Sequence, residues 1–237
     1  MAKSILQFCS GLLCLFLLTL GLITTALGQD EKSPVSKLKL DATTKMRLVN
    51  AQVKILEYRG RPPLHLVPPA GRENEDESML AVLTDIDFKN GTIEVDVAGA
   101  PRQGASPAMK GFIGISFRVD GEKQEIFYIR PVNARLEDQL VRNHTAQYVS
   151  EPGYSWQRLR QENPGVYESY AEMETGAWTK LRIEVSGTKA RLYVNGASQP
   201  CLIVNDLKQG ESHGKIALWA HSTTEAFFSD MTVTATP

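Results

Sequence analysis

The amino-acid sequence predicts an all-β domain in which two antiparallel sheets pack as a sandwich. Short segments alternate between apolar and polar residues, turn dipeptides separate these segments, and sustained helical periodicity is nearly absent. Many short strands joined by turns, with no helices between them, are typical of a sandwich or a closed barrel and argue against a parallel sheet.

The alternation is clearest in three segments, 91–98, 112–119 and 180–186. Each is predicted to be a strand with one buried face and one open face, because successive side chains of a strand point to opposite sides of the sheet. Asn-Gly, Asp-Gly and Ser-Gly pairs predict hairpin turns between such strands. These pairs lie at 90–91, 120–121, 186–187 and 195–196.

The N-terminus has the features of an export signal. An apolar run over 12–23 is followed by small residues, with Ala26 and Gly28 at the positions that precede a cleavage site. The length of the run also allows an uncleaved membrane anchor. We expect a signal peptide at 1–28, a secreted or periplasmic protein, and no membrane insertion after cleavage.

Residues 38–237 form one predicted domain, preceded by a flexible tether over 29–37 that is rich in charge, Ser and Pro. The formal net charge is −1 and no block of like charge occurs, so we expect no nucleic-acid partner. Once the signal is removed, Cys201 is the only cysteine that remains, which excludes an intrachain disulfide. The oligomeric state does not follow from these features.

A long stretch without clean alternation lies between the predicted strands, at about 131–176. We interpret it as an ordered, loop-rich insertion, because its aromatic residues argue against disorder. Irregular segments of this length in compact domains usually carry a function or are disordered.

The segment 178–196 reads W-T-K-L-R-I-E-V-S-G-T-K-A-R-L-Y-V-N-G. It resembles the paired strands of laminin G-like and other concanavalin A-like domains. Segments that begin at Gly214 and Ala226 resemble the last two strands of that fold, and the likeness covers most of 80–235. The resemblance implies a jelly-roll sandwich. It leaves the function open, because lectins, receptor modules and glycosidases share this architecture.

The chain is also similar to exported bacterial proteins of the 3-keto-disaccharide hydrolase type. In place of the Asn-Ser-Gly and Tyr-Glu-Val-Gln-Ile-Leu-Asp-like elements of that domain, it reads G-I-S-F-R at 114–118 and F-Y-I-R-P at 127–131. This resemblance implies hydrolase or lyase action on oxidised glycosides.

A further comparison concerns the laminarinase-like glycosidases, whose catalytic strand carries a Glu-x-Asp-x-x-Glu motif. Glu94 and Asp96 match its first two carboxylates, but Ala98 and Gly99 stand where the acid/base Glu would be. Retaining glycosidases need two carboxyl groups about 5–5.5 Å apart, which two same-face residues of one strand can reach. Simple solvation of both carboxylates on an exposed strand is the alternative.

The richest candidate binding segment begins in the strand that ends at 130, where Tyr128 and Arg130 share the face opposite the core residues Phe127 and Ile129. Amide, guanidinium and carboxylate groups beside aromatic rings are the materials of a sugar site. Alternatively, Arg130 pairs with Asp138 or Glu137 at the strand end, and the aromatic rings form a satellite core. The predicted ligand-binding residues are Tyr128, Arg130, Asn133, Asp138, Arg142, Asn143, His144, Gln147, Trp156 and Trp219.

No catalytic set can be assigned from the sequence. His144 is a candidate acid–base residue, but His-x-His spacing, a nucleophile elbow, a P-loop and a dinucleotide fingerprint are all absent from the sequence. No cofactor is evident. Structural calcium is an expectation for this fold class, with Asp85 and either Asp87 or Asp120 as oxygen ligands.

Three functions remain open at this stage. The first is an exported glycan-recognition module, the second a glycoside hydrolase or lyase that acts on (3-keto-)glycosides, and the third a protein-interaction module.

Overall fold

The computed structural model describes residues 35–38, 40–41, 43–73 and 75–236; the predicted signal peptide lies outside them. The first strands are β1 Val35–Leu38, β2 Met46–Val49, β3 Gln52–Ile55, β4 Leu64–Val67, β5 Ser78–Phe88, β6 Asn90–Pro101, β7 Ile113–Asp120 and β8 Lys123–Ile129. A 3-10 helix Pro131–Arg135, α1 Gln139–Arg142, β9 Ala146–Glu151, α2 Trp156–Glu162 and β10 Glu168–Ser169 follow. The chain ends with β11 Thr179–Ser186, β12 Lys189–Val194, β13 Leu202–Val204, β14 Gly214–His221 and β15 Thr224–Thr236.

The strands form two antiparallel sheets, which confirms the predicted jelly-roll sandwich. One sheet has the order β10-β9-β8-β7-β14-β5-β2, and we call it the seven-stranded sheet. The other has the order β13-β12-β11-β6-β15-β4-β3, with β1 paired to β15, and we call it the eight-stranded sheet. Within the described residues, no helix is both long and apolar enough to span a bilayer.

The core consists of the apolar faces that the two sheets turn towards each other. Ile93 and Val95 of the eight-stranded sheet and Ile115 and Phe117 of the seven-stranded sheet have no exposed surface and belong to one hydrophobic cluster. Full burial of such a side chain contributes about 1.5–3 kcal/mol. The alternation that predicted these strands is therefore the alternation between the core and the outer face of each sheet.

The turn at 90–91 differs from the prediction. Hairpins connect β7 to β8 and β11 to β12 as expected, but β5 and β6 belong to different sheets, so the chain crosses between sheets at 89–90. Gly91 has a different role, because a Cβ atom there would lie 2.0 Å from the carbonyl oxygen of Thr234 on the paired strand β15.

Two further predictions need correction. The tether predicted over 29–37 includes strand residues, since β1 pairs with 231–234 of β15; backbone hydrogen bonds form this pairing and do not require an apolar sequence. The predicted insertion at 131–176 contains β9, a strand next to β8. Its residues 146–150 are buried on both faces, and such a strand shows no alternation.

Arg118 connects three turns at one end of the sandwich. It is 2% exposed, and its backbone has a left-handed φ of 53° at an irregularity in the β7–β8 pairing. Its guanidinium group donates to the carbonyl oxygens of Lys89 at 2.8 Å, Gly187 at 2.7 Å and Gly210 at 2.9 Å. One side chain thus satisfies carbonyl groups of the turns that follow β5, β11 and β13.

The variant Arg118→Met should lower the free energy of unfolding by at least about 3 kcal/mol, because it removes three part-buried hydrogen bonds from a charged group, and each such bond contributes about 1.5–3 kcal/mol. Chemical denaturation measures the change. Arg191→Met, on an exposed position of β12, is the matched control and should change stability by less than about 0.5 kcal/mol. Equal effects of the two substitutions would contradict this role of Arg118.

Candidate functional site

A cleft of about 650 Å³ lies on the outer face of the seven-stranded sheet. Its floor consists of outward side chains of β8, β9 and β14, and one wall comes from α2. Residues 76–78 line the opposite wall, and residues 108–110, which precede β7, line another part. We call this space the cleft; a volume of this size suits a small-molecule ligand.

Two aromatic rings meet on the floor across Gly114. In the strand pairing, Gly114 faces Tyr128 on one side and Trp219 on the other. The two rings nevertheless approach to 4.9 Å between centroids, at an interplanar angle of 33°, although their strands lie about 9.6 Å apart at the usual spacing. A Cβ atom at Gly114 would lie 2.0 Å from the carbonyl oxygen of Phe127 and 2.5 Å from the Cα atom of Tyr128. The missing side chain therefore allows the aromatic floor to form.

Arg130 is buried at one end of this floor, with an exposed fraction of 5%. Its guanidinium group donates to the hydroxyl of Tyr128 at 2.7 Å, the carbonyl oxygen of His144 at 2.8 Å and Oε1 of Gln147 at 3.2 Å. Burial lowers the pKa of Arg130. These three neutral acceptors hold the cation in place, so the alternative ion pair with Asp138 or Glu137 does not describe its contacts.

His144 lies at the same end of the cleft in contact with a buried ion pair. Arg160 donates to Glu168 through Nε at 3.0 Å and Nη2 at 2.7 Å. Nδ1 of His144 lies 2.9 Å from Oε1 of Glu168, although the two atoms are not aligned as a hydrogen bond. Burial lowers the pKa of His144 and the Glu168 carboxylate opposes that shift, so the imidazole is neutral near pH 7.

A second histidine, His221, lines the opposite side of the cleft. Its Nε2 lies 2.9 Å from Oδ1 of Asp76, and its Nδ1 lies 2.7 Å from Oγ1 of Thr223. Its ring packs at 5.5 Å, between centroids, from Phe112. The pairing Ala146–Ile129–Ile113–Ala220 brings together the start of β9, the end of β8, the start of β7 and the end of β14. His144, Arg130, Phe112 and His221 therefore occupy one end of the sheet.

Besides Nδ1 of His144, two buried polar side-chain atoms of residues that line the cleft have no hydrogen-bond partner among the described residues. They are Nε1 of Trp219, a donor, and Oδ1 of Asn133, an acceptor. The side chains are 6% and 3% exposed. Buried polar atoms are hydrogen-bonded in the great majority of cases, so a ligand group that reached this donor and this acceptor would satisfy both.

The structure brings six of the predicted binding residues together in the cleft and places four elsewhere. Those in the cleft are Tyr128, Arg130, Asn133, His144, Trp156 and Trp219. Trp156, from α2, is 39% exposed, while the two floor rings are recessed.

The other four predicted residues support the elements around the cleft. Asp138 accepts from the backbone N–H groups of 140 and 141 and caps α1, and Asn143 ends that helix. Arg142 donates to the hydroxyl of Tyr170 at 3.1 Å. Gln147, only 1% exposed, donates to two backbone carbonyl groups and accepts from Arg130.

Sequence reasoning omitted Arg160, Glu168 and Glu151 from the site. Glu151, at the end of β9, lines the cleft, and burial raises the pKa of its carboxyl group. The sequence does contain a signal for His221, because alternation along β14 places it on the same face as Trp219. No local pattern marks Arg160 and Glu168, because the contacts of Glu168 with Arg160 and with His144 join α2, β10 and the segment before β9.

Two other interpretations concern carboxylates outside the cleft. Asp96 pairs with Arg61 at 2.5 Å and with Lys180 at 3.1 Å on the eight-stranded sheet, so the Glu94–Asp96 pair is not the free catalytic pair considered above. Asp85 pairs with Lys45 at 3.3 Å. In the described part of the chain, no three His, Cys, Asp or Glu side chains are grouped as metal ligands; calcium stays a prediction.

The fold and the cleft define a jelly-roll sandwich domain with one aromatic-floored cleft on the outer face of a sheet. Residues 64–234 match the family model described as the 3-keto-alpha-glucoside-1,2-lyase-like domain. The chain belongs to this family, and the resemblance noted in the sequence is confirmed. No curated protein matches the chain in sequence.

Solved structures share the sandwich at low sequence identity. The carbohydrate binding module CBM66 from Bacillus subtilis superposes with a TM-score of 0.54 and 13% identity, over 80% of this chain and 96% of that one. A Bacillus subtilis protein of unknown function with a galectin-like fold gives 0.53 and 12%, over 80% of this chain and 88% of that one. At such identities the likeness concerns the fold.

The variant Gly114→Ala should separate the floor rings and lower the free energy of unfolding by about 1–3 kcal/mol, the usual range for overpacking. Near-ultraviolet circular dichroism and chemical denaturation measure the two effects. Ser116→Ala, on the same face of β7, is the control: it removes a buried hydroxyl without a partner among the described residues and should leave stability unchanged or slightly higher. An intact aromatic signal in Gly114→Ala would contradict the proposed role of the glycine.

Proposed function

We propose that the cleft binds a carbohydrate and that the protein acts as an exported glycan-recognition domain. The observation that carries this proposal is the combination of an aromatic floor with an unpaired buried donor and acceptor, Nε1 of Trp219 and Oδ1 of Asn133. A sugar presents C–H groups to aromatic faces, and each of its hydroxyl groups both donates and accepts.

The surroundings of the floor also suit a sugar. Arg130 and His144 form a polar end, and the exposed ring of Trp156 stands above Arg130, 5.9 Å from its guanidinium carbon. Arg160 lies over the same indole at 4.8 Å, which fixes its orientation. The fold is shared with a protein named as a carbohydrate binding module, and the family name refers to glucosides; both support the proposal.

The variant Trp219→Phe should keep the aromatic floor and weaken sugar binding about tenfold, because one hydrogen bond contributes about 0.5–1.5 kcal/mol. Titration calorimetry with a panel of glucosides and their 3-keto derivatives measures the affinity. Trp178→Phe is the matched control, since Nε1 of Trp178 is likewise buried without a partner among the described residues but lines a different cavity, on the eight-stranded sheet. Failure of every sugar to bind would refute the proposal.

A second candidate function is elimination on a glycoside oxidised at C3, favoured by His144 and by the family to which the chain belongs. In a 1,2-elimination, a base removes the hydrogen at C2, which the C3 carbonyl group acidifies. The C1–C2 double bond forms, the C1–O bond breaks, and the aglycone leaves with a proton. Nε2 of His144 has no hydrogen-bond partner among the residues described, and the imidazole is neutral, so it can accept the C2 proton.

Electrostatics at this end of the cleft would assist that step. Arg130, hydrogen-bonded to the backbone of His144, supplies positive charge next to the developing enolate. Glu168 lies against Nδ1 of His144 and stabilises the imidazolium ion that the proton transfer creates. Arg160 holds Glu168 in position through two hydrogen-bonded oxygens.

If this second function holds, His144→Gln should retain binding of a 3-keto-glucoside and lose aglycone release and deuterium exchange at C2 by at least about a hundredfold. The rate with the unaltered protein should fall as the pH drops through the pKa of His144, because the base must be neutral. Burial lowers that pKa, so the loss should come below pH 6.5, the ordinary histidine value. His213→Gln, an exposed histidine outside the cleft, is the control. Turnover by His144→Gln at the original rate would exclude His144 as the base.

A further inference from the structure

A second cavity of about 380 Å³ lies beside the cleft on the same face of the seven-stranded sheet. Glu151, at the end of β9, lines both cavities. Strand pairing connects them directly, because Trp219 of the cleft floor pairs with Leu80, and Leu80 pairs with Val49 at the sheet edge. The two cavities are therefore adjacent parts of one outer surface.

The chemistry of this surface changes along the strands. The end with Arg130, His144 and His221 is polar, and the row of Tyr128 and Trp219 is aromatic. The next row of pairs is aliphatic at Val149, Ile126, Ala217 and Val82 and contains one polar residue, Ser116. This order places an apolar surface directly beyond the aromatic floor.

The second cavity has a branched aliphatic floor and no aromatic ring. Its apolar lining residues are Val49, Leu80, Val82, Val119 and Pro152. The polar residues Arg47, Glu122, Gln124 and Glu151 also line it, and the floor residues Leu80, Val82 and Val119 are recessed, with 8%, 2% and 6% of their surface exposed. Sugar rings usually stack on aromatic faces, so this floor suits a hydrocarbon group better than a second sugar.

We propose that the second cavity binds the apolar aglycone of a glycoside whose sugar occupies the cleft. This inference rests on the proposed sugar-binding function. An amphipathic ligand of this kind matches the surface, because its hydroxyl groups meet the polar and aromatic end and its hydrocarbon part covers the aliphatic rows. Burial of each methylene group in such a cavity increases the affinity about fourfold.

Methyl, butyl and hexyl glucosides, in native and 3-keto forms, test the inference by titration calorimetry. The affinity should rise severalfold with each added methylene until the cavity is full, and a disaccharide of the same sugar should gain less than the hexyl glucoside. Val49→Asp should remove the dependence on chain length and leave methyl glucoside binding unchanged. Leu48→Asp, the neighbouring residue of β2 with a side chain that is 41% exposed and on the opposite face, is the matched control and should preserve the dependence.

The possible outcomes distinguish failure of the proposed aglycone site from failure of the proposed sugar site. Affinity that does not change with chain length, equal effects of the two β2 variants, or a disaccharide that binds more tightly than the hexyl glucoside would overturn the aglycone site while the sugar site stands. Unchanged methyl glucoside affinity reports that the Val49→Asp variant is folded. Absence of binding by every compound, methyl glucoside included, would refute the sugar-binding function and with it this inference.

Discussion

The packing of the two sheets through their apolar faces is the constraint on which the rest of the structure depends. Because a strand alternates its side chains, burial of Ile115, Phe127 and Leu218 forces their neighbours to the outer face. Tyr128 and Trp219 are such neighbours. A shift of one residue in the pairing of either strand would bury the cleft floor and expose the core, so the same free energy that holds the sandwich together also positions the candidate site.

The absence of a side chain at one position of the seven-stranded sheet determines the shape of the cleft floor. Gly114 lies between two strands that carry large rings, and only glycine lets those rings meet above it. The cost of a buried cation next to the rings is offset by the three acceptors of Arg130. Arg118 has a comparable function at three turns. In both cases a buried guanidinium group donates hydrogen bonds to several neutral acceptors that the strands and turns bring close together.

The sequence allowed part of the site to be predicted. Period-two alternation is a local property, and it predicts that Tyr128, Arg130 and Trp219 lie on outer faces. The segment around α1 was harder, because polar residues such as Asp138 and Asn143 serve equally well as helix caps and as ligand donors. Composition does not distinguish these uses, since both need the same short polar side chains.

The sequence by itself determined the fold class, the strands with one open face and the similarity to a family of glycoside-related domains. Only the tertiary structure decided that β9 is a strand, that Glu168 contacts both His144 and Arg160, and that an aliphatic cavity adjoins the aromatic floor. The physical reason is the separation along the chain of the residues that interact. Alternation and turns are encoded in neighbouring residues, whereas these contacts join segments that are distant along the chain and meet only when the sheets are assembled.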